Sequence, residues 1–243
     1  MRWISLLFFT LASTALFSQL QSGRVWTQIG VKGAVSPKLV WSIDVTNRFG
    51  SDGLETFFTQ ASVKYKLKKW IQPSLDYRSI LDKDKYKNYT LSHRLNVNAN
   101  FKKQVNRFSL GARLRYQSSF QSLQGSKKYD AEFDKAIRIK PQIAYDIKKS
   151  GFGPLCSIEY FYNPNYSALG QRFTKYRFFI GTQVELNGTH ELAFGYIFDR
   201  EINTPNPDTK HILSVSYSYN LSSMKKDDDK KEKKSGGNDH FNE

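Results

Sequence analysis

Histidine and carboxylate side chains are the residues of this sequence that could perform acid–base chemistry. General acid–base catalysis needs such a group within hydrogen-bond reach of its partner. The chain has four histidines: His93, His190, His211 and His240. Only His211 has carboxylates nearby that could share one end of a strand with it, and these are Asp208, Asp199 and Glu201. The weak catalytic candidates are therefore His211, Asp208 and Asp199, which would make a surface hydrolase of lipid or peptide.

Other signatures of catalysis or metal binding are missing from the sequence. It contains no Gly-Xaa-Ser-Xaa-Gly motif, no His-Glu-Xaa-Xaa-His motif and no Gly-rich phosphate loop. Its single cysteine, Cys156, cannot form an intramolecular disulfide or a cysteine-based zinc site and is expected to be a small packing residue. We therefore expect no cofactor and no metal, and the main interpretation is not an enzyme.

Charged residues that recur at every second position form a more informative set. They alternate with apolar residues, so they would share one face of a series of strands. Arginine is in excess, and opposite charges should interleave where such a face is enclosed, because an unpaired buried charge is costly. The predicted lumen charge network consists of Asp44, Arg48, Asp76, Arg78, Arg94, Arg107, Arg113, Arg115, Arg138, Asp146, Arg177 and Glu185. The surplus of arginine predicts a narrow pore, or a pocket, that favours anions.

The elements that must position these residues are β-strands, because the dominant period from residue 23 to residue 221 is two. In Tyr89–Phe101, leucine, valine and phenylalanine alternate with serine, arginine and asparagine, which gives one apolar and one polar face. The segments run for about 10 to 16 residues, whereas strands of soluble domains are mostly nearer 5 or 6. A tilted strand needs about 9 to 11 residues to cross the hydrocarbon of a bilayer. The strand length therefore favours a membrane barrel.

Connections between the strands alternate in predicted length. Short turns are predicted near Ser36-Pro37, Lys68-Lys69, Lys103–Val105, Ser150–Gly153 and Asn187-Gly188, and longer loops near Asp82–Lys87, Gln121–Lys135, Asn163–Arg172 and Glu201–Asp208. Short periplasmic turns and longer external loops are typical of outer-membrane barrels. The pattern contains eleven strands, but bacterial single-chain barrels have even numbers. We therefore expect about 10–12 strands, with Gly23–Gly33 either a lumen plug or a spanning strand paired with one not identified.

Both termini differ in composition from the central region. Residues 1–18 are predicted to be a signal peptide, because Arg2 precedes an apolar run, and cleavage is expected after Ser18, with the bond after Ala15 as the alternative. Residues 19–221 would form the barrel, and the charged, low-complexity segment 222–243 is predicted to be disordered. No later apolar stretch is long enough for a helical span.

Composition agrees with export to an outer membrane. Aromatic residues make up 15% of the chain, and the mean hydropathy is −0.57. Barrels combine aromatic girdles on the lipid face with a polar interior. The net charge is +15, and an exported chain does not normally meet nucleic acid. The expected partners are outer-membrane lipid, lipopolysaccharide and the barrel-assembly machinery, with the small-molecule ligand unknown.

Several short motifs resemble one known family. They are Trp26, Asn47-Arg48-Phe49, Tyr65 before a basic turn, Asp76-Tyr77-Arg78 and His211-Ile212-Leu213-Ser214. With these features the chain resembles a family of uncharacterised outer-membrane β-barrels, the domain of unknown function 2490. The resemblance implies a barrel over most of the mature chain and supplies no catalytic residues. Chains of that family generally end near their last strand, whereas this one adds a charged tail.

The sequence thus predicts an all-β fold, a single closed antiparallel transmembrane β-barrel in the outer membrane of a Gram-negative cell. The predicted role is structural, or that of a small anion-favouring pore or binding barrel with a cationic lumen. Two alternatives stay open: an outer-membrane surface hydrolase centred on His211, and a secreted soluble β-sandwich that binds a ligand.

Overall fold

The computed structural model describes residues 23–221 except 84–85, 121–133, 149, 166–171, 187–188 and 205. The predicted signal peptide, with either cleavage position, and the predicted disordered tail lie outside the described residues. Every described element is a β-strand of ten residues or more. The strands are β1 (Gly23–Ala34), β2 (Leu39–Gly50), β3 (Gly53–Tyr65), β4 (Ile71–Lys83), β5 (Tyr89–Val105), β6 (Phe108–Phe120), β7 (Ala136–Tyr145), β8 (Phe152–Tyr162), β9 (Phe173–Leu186), β10 (His190–Glu201) and β11 (Thr209–Asn220).

These eleven strands close into one barrel. Each strand pairs antiparallel with the next along the chain, and β1 pairs in parallel with β11, from Gly23 opposite His211 to Lys32 opposite Asn220. An odd number of alternating strands leaves the first and last pointing the same way, so the closing pair must be parallel. The predicted all-β closed barrel of about 10–12 strands is confirmed, and the closed wall rules out two stacked sheets.

The first strand corrects one expectation. Residues 23–33 were predicted to be a lumen plug or a spanning strand paired with an unidentified one. The plug is wrong, and the segment is a strand of the barrel, but both of its partners are strands that the sequence had identified. β1 lies in the wall between β2 and β11. Its even-numbered residues face the lumen like those of β2, so Val25 and Ile29 stand on the outer surface, at 39% and 62% exposure. The expectation of an even number of strands is wrong because β1 pairs in parallel with β11, so that eleven strands close the barrel without a twelfth.

The connections define two ends of the barrel. At what we call the turn end, residues 35–38, 66–70, 106–107, 146–151 and 187–189 join the strands. At what we call the loop end, the connections are 51–52, 84–88, 121–135, 163–172 and 202–208. The turn predicted at Lys103–Val105 is the end of β5, and the chain reverses instead at Asn106-Arg107, where Asn106 has a φ of 52°.

The polarity of the wall is the reverse of that of a water-soluble domain. The lumen side buries Arg94, Asn96 and Asp199 to 2%, 0% and 1% exposure. The outer side leaves Val97 and Ile180 more than half exposed. Because successive side chains of a strand point to opposite faces, one sequence pattern produces both properties. Among the described residues, no helix is long and apolar enough to cross a membrane.

Candidate functional site

The loop-end half of the lumen is filled by side chains. The largest side chains with less than 2% exposure come from β4, β5, β6, β8, β10 and β11, and they are Arg94, Phe161, Ile80, Ile212, Gln117, Asn96 and Asp199. These strands lie on different sides of the barrel. Because almost none of their surface is exposed, these side chains form a buried layer inside the lumen, as expected for a barrel of this small strand number.

Aromatic rings and guanidinium groups stack within this layer. Trp26 of β1 lies between Arg48 and Arg177, whose Cζ atoms are 3.9 and 4.8 Å from the ring centroid. The ring centroid of Phe161 on β8 lies 4.3 Å from Cζ of Arg138. A cation over an aromatic face contributes about 0.5 to 2 kcal/mol, the larger values applying where water is excluded. The rings therefore help to accommodate arginine charge inside the barrel.

A third ring completes the stacked set. Phe58 of β3 lies 4.4 Å from Cζ of Arg78 and 5.2 Å from Cζ of Arg48. No aromatic residue was predicted to face the lumen. The sequence did contain the information, because Trp26 and Gln28 are both at even positions of β1, and Phe58 and Gln60 are both at even positions of β3. The polar glutamines mark these positions as facing the lumen.

Three buried carboxylates among the described residues carry the opposite charge. Asp76 accepts hydrogen bonds from Arg115 and Asn98, both at 2.9 Å. Glu159 accepts three hydrogen bonds, one from Arg113 at 2.7 Å and two from Arg138 at 2.7 and 3.1 Å. Charge-assisted hydrogen bonds of this kind are about twice as strong as neutral ones. These acids therefore hold arginines of neighbouring strands in fixed positions.

The third carboxylate is Asp199 of β10. Its Oδ1 lies 2.9 Å from Nζ of Lys175, and its Oδ2 accepts a 2.9 Å hydrogen bond from Nε of Arg177 and a shorter one from Nη2. Asp199 was predicted as a weak catalytic candidate. Because both of its oxygens are engaged with cations, it is part of the charge network.

Most of the predicted network residues lie on the lumen side. Asp44 accepts a 3.3 Å hydrogen bond from Ser42, and Arg94 is among the most deeply buried residues of the protein. Nine of the predicted residues share this face: Asp44, Arg48, Asp76, Arg78, Arg94, Arg113, Arg115, Arg138 and Arg177. The structure adds Glu159, Lys175 and Asp199 to them.

Three predicted members are corrected. Arg107 and Asp146 are exposed in turns, because β5 ends at Val105 and β7 ends at Tyr145. Glu185 is on β9, but it is exposed beside the turn end, and its partner across the ladder is another acid, Glu191. For Arg107 and Asp146 the predicted alternation was extended past the ends of the strands, whereas Glu185 keeps the lumen-side position but lies at the exposed end of its strand.

The predicted catalytic group is also corrected. His211 lies on the outer surface, where its Nδ1 is 2.5 Å from the hydroxyl of Tyr196 and its ring is edge-on to Phe198. Asp199 faces the lumen, so the barrel wall separates the two side chains. Asp208 is half exposed and lies 3.5 Å from Lys210. The structure does not bring a histidine and a carboxylate together here.

All three described histidines have the same kind of partner. His93 lies 2.8 Å from the hydroxyl of Tyr77, and His190 lies 2.7 Å from that of Tyr217, as His211 does from Tyr196. His240 lies outside the described residues. No group of three or more histidine, cysteine, aspartate or glutamate side chains within the described ranges could hold a metal ion.

The turn-end half of the lumen contains a cavity of about 240 Å³. Small hydroxyl side chains leave this space: Ser42, Ser62 and Ser74 stand on three adjacent strands. The cationic lining residues are Lys32, Lys64, Arg113 and Arg115. The lining contains one acid, Asp76. This cavity is the candidate functional site.

Comparisons with known proteins extend these observations. No curated protein matches the chain. A solved structure from a study of the in-meso crystallization of membrane proteins is similar over 80% of this chain and 81% of its own, at 11% identity and a TM-score of 0.41. At that TM-score the likeness carries no weight. A family model described as "Protein of unknown function (DUF2490)" matches residues 23–210, which span β1 to the start of β11. The chain belongs to this family.

Proposed function

We propose that this protein is an outer-membrane β-barrel whose cationic lumen is filled across its loop-end half and binds a small anion at its turn end. The proposal rests above all on the inverted polarity of the wall, which is apolar outside and charged inside. A water-soluble monomer rarely exposes apolar patches larger than a few hundred Å². A bilayer accommodates such a belt, and the closed wall leaves no hydrogen-bonding edge in lipid.

The histidine–tyrosine pairs on the outer surface support a location of the barrel in a membrane. Tyr77 and Tyr196 lie in the middle of their strands, and their hydroxyls reach His93 and His211 nearer the loop end. Tyr217 reaches His190, the first residue of β10, at the turn end. Amphipathic aromatic side chains concentrate at the two membrane–water interfaces. In the proposal these pairs lie near those interfaces, with the turn end in the periplasm.

The proposal assigns no enzymatic activity, because the wall separates His211 from Asp199, and Asp208 lies beside Lys210. Its partners would be outer-membrane lipid, lipopolysaccharide and the barrel-assembly machinery. A role as an open pore is disfavoured, since buried side chains of six strands occupy the loop-end half of the lumen. We expect purified protein in a planar bilayer to give no steady ionic current, and a stable anion-selective current would contradict a binding barrel.

Cell fractionation tests the location directly. We expect the protein in the outer-membrane fraction, resistant to a urea wash and released by detergent. The purified barrel should migrate faster on a detergent gel before boiling than after it, because a closed hydrogen-bonded wall resists detergent until heated. Recovery in the periplasm or medium without detergent would overturn the proposal.

Cys156 provides an independent prediction about the outer surface. It stands on the outer face of β8, between Ile143 and Ile180 on the adjacent strands. We expect Cys156 to resist a membrane-impermeant maleimide when the protein is in lipid vesicles and to react after unfolding in urea. As a control, Ser51→Cys in a Cys156→Ser background places the only thiol in the 51–52 turn and should react in both states. Equal reaction rates for the two thiols in vesicles would mean that water covers the wall.

A further inference from the structure

We propose that the turn-end cavity is a binding site for a single small oxyanion of the phosphate class, with Lys64 as its main charged contact. This inference deepens the proposed function by naming the ligand class and the residue. It depends on the lumen being a binding site, and it does not depend on the cellular membrane in which the barrel lies.

The charge balance around the cavity favours an anion. Arg115 is bound to Asp76, Arg113 to Glu159 and Lys32 to Glu191. Lys64 lines the same cavity, and its ammonium group forms no ion pair or hydrogen bond within the described part of the chain. The lining therefore carries one cation beyond its internal pairs, which an anion would neutralise.

Hydrogen-bond donors converge on the same space. The hydroxyls of Ser62 and Ser74 line the cavity, and each accepts a hydrogen bond from a neighbouring side-chain amide, which leaves its own proton for a ligand. The Ser42 hydroxyl lines the cavity too, but it donates its proton to Asp44. Hydroxyl donors and a free ammonium group suit the several acceptor oxygens of a phosphate, and lysine binds phosphate as a point charge.

One further donor belongs to a residue that lines the cavity. Nε of Arg113 is buried without a hydrogen-bond partner. The acid in the lining, Asp76, is only 4% exposed and is held by Arg115 and Asn98. Its negative charge is therefore balanced by Arg115 within the lining, and it does not offset the charge of Lys64.

Size and access narrow the ligand class. Drug-sized ligands occupy pockets of about 300 to 1,000 Å³. The cavity, at about 240 Å³, is smaller than that range, so it suits an inorganic oxyanion or a small phosphate monoester. Lys64 is exposed and lies next to the last residue of β3, which leaves the cavity accessible from the turn end.

Binding of inorganic phosphate to the detergent-solubilised, folded barrel tests the inference. Calorimetric titration should show saturable binding of phosphate and none of chloride at the same ionic strength. Lys64→Gln should weaken phosphate binding by about tenfold, because it removes the one uncompensated charge. Lys66→Gln, which changes an exposed lysine of the adjoining turn, is the matched control and should bind like the parent protein.

Ser62→Asp provides a second variant, since it adds a negative charge inside the cavity and should abolish binding. A parallel titration with glycerol phosphate distinguishes a monoester from the free ion, and stronger binding of either one supports the site. The inference is overturned if phosphate binds no better than chloride, or if Lys64→Gln and Lys66→Gln bind it equally. An unchanged gel shift on heating would show that each variant is still folded.

Discussion

Glu159→Gln is expected to lower the free energy of unfolding by about 3 to 5 kcal/mol, the usual cost of breaking a buried ion pair by removing one partner. Glu159 is 3% exposed and receives hydrogen bonds from both Arg113 and Arg138. The substitution keeps the shape of the side chain and removes its charge. Two guanidinium groups would then remain in the lumen without their shared carboxylate. Urea titration of the barrel in lipid vesicles, followed by tryptophan fluorescence, measures the loss.

Glu55→Gln is the matched control for this substitution. Glu55 pairs with Arg24, but the two side chains are 25% and 27% exposed, respectively. Exposed pairs contribute about 0 to 1 kcal/mol, so this variant should unfold nearly like the parent protein. Adding Arg138→Gln to Glu159→Gln should restore part of the lost stability, because one uncompensated cation leaves with the acid. Equal losses for Glu159→Gln and Glu55→Gln would show that the lumen pair is solvated.

Val97→Arg is expected to cost about 2 to 4 kcal/mol, the penalty for arginine on the lipid face near the bilayer midplane. Val97 is 52% exposed on the outer surface of β5, beside Leu75 and Tyr116 on the adjacent strands. On a face covered by water, the same change at so exposed a position would alter stability by about 0.5 kcal/mol or less. The substitution therefore discriminates sharply between lipid and water.

Val105→Arg provides the control on the same strand and the same face. Val105 is 42% exposed and is the last residue of β5, next to the Asn106-Arg107 turn. The penalty for a lipid-facing arginine falls to about 0 to 1 kcal/mol near the interface. We expect the two variants to differ by at least about 2 kcal/mol in vesicles. If neither Val97→Arg nor Val105→Arg changed the free energy of unfolding appreciably, the wall would not span a membrane. That result would not bear on the barrel fold.

The two experiments probe opposite faces of one wall. Glu159→Gln reports whether the lumen is dry, and Val97→Arg reports whether the outer face meets lipid. A large effect of the first with none of the second would describe a tightly packed barrel in water. Together they separate the fold, which is observed, from the location, which is proposed.

The sequence by itself determined the strands and their faces. A period of two sets which side chains share a face, and that local rule needs no knowledge of the neighbouring strands. The alternation in β5, with Leu95 and Val97 outside and Arg94 and Asn96 inside, could be assigned from the sequence alone. The closed barrel followed, because a long ribbon with one polar and one apolar face must enclose one of them.

Only the tertiary structure decided how the strands close and which side chains meet. The parallel pairing of β1 with β11 depends on the number of strands that complete the circumference, which no single segment encodes. The partners of Glu159 come from two other strands, β6 and β7, and His211 is divided from Asp199 only once the wall is formed. Such contacts depend on register and on strand tilt across the barrel, whereas periodicity specifies a face and never a partner.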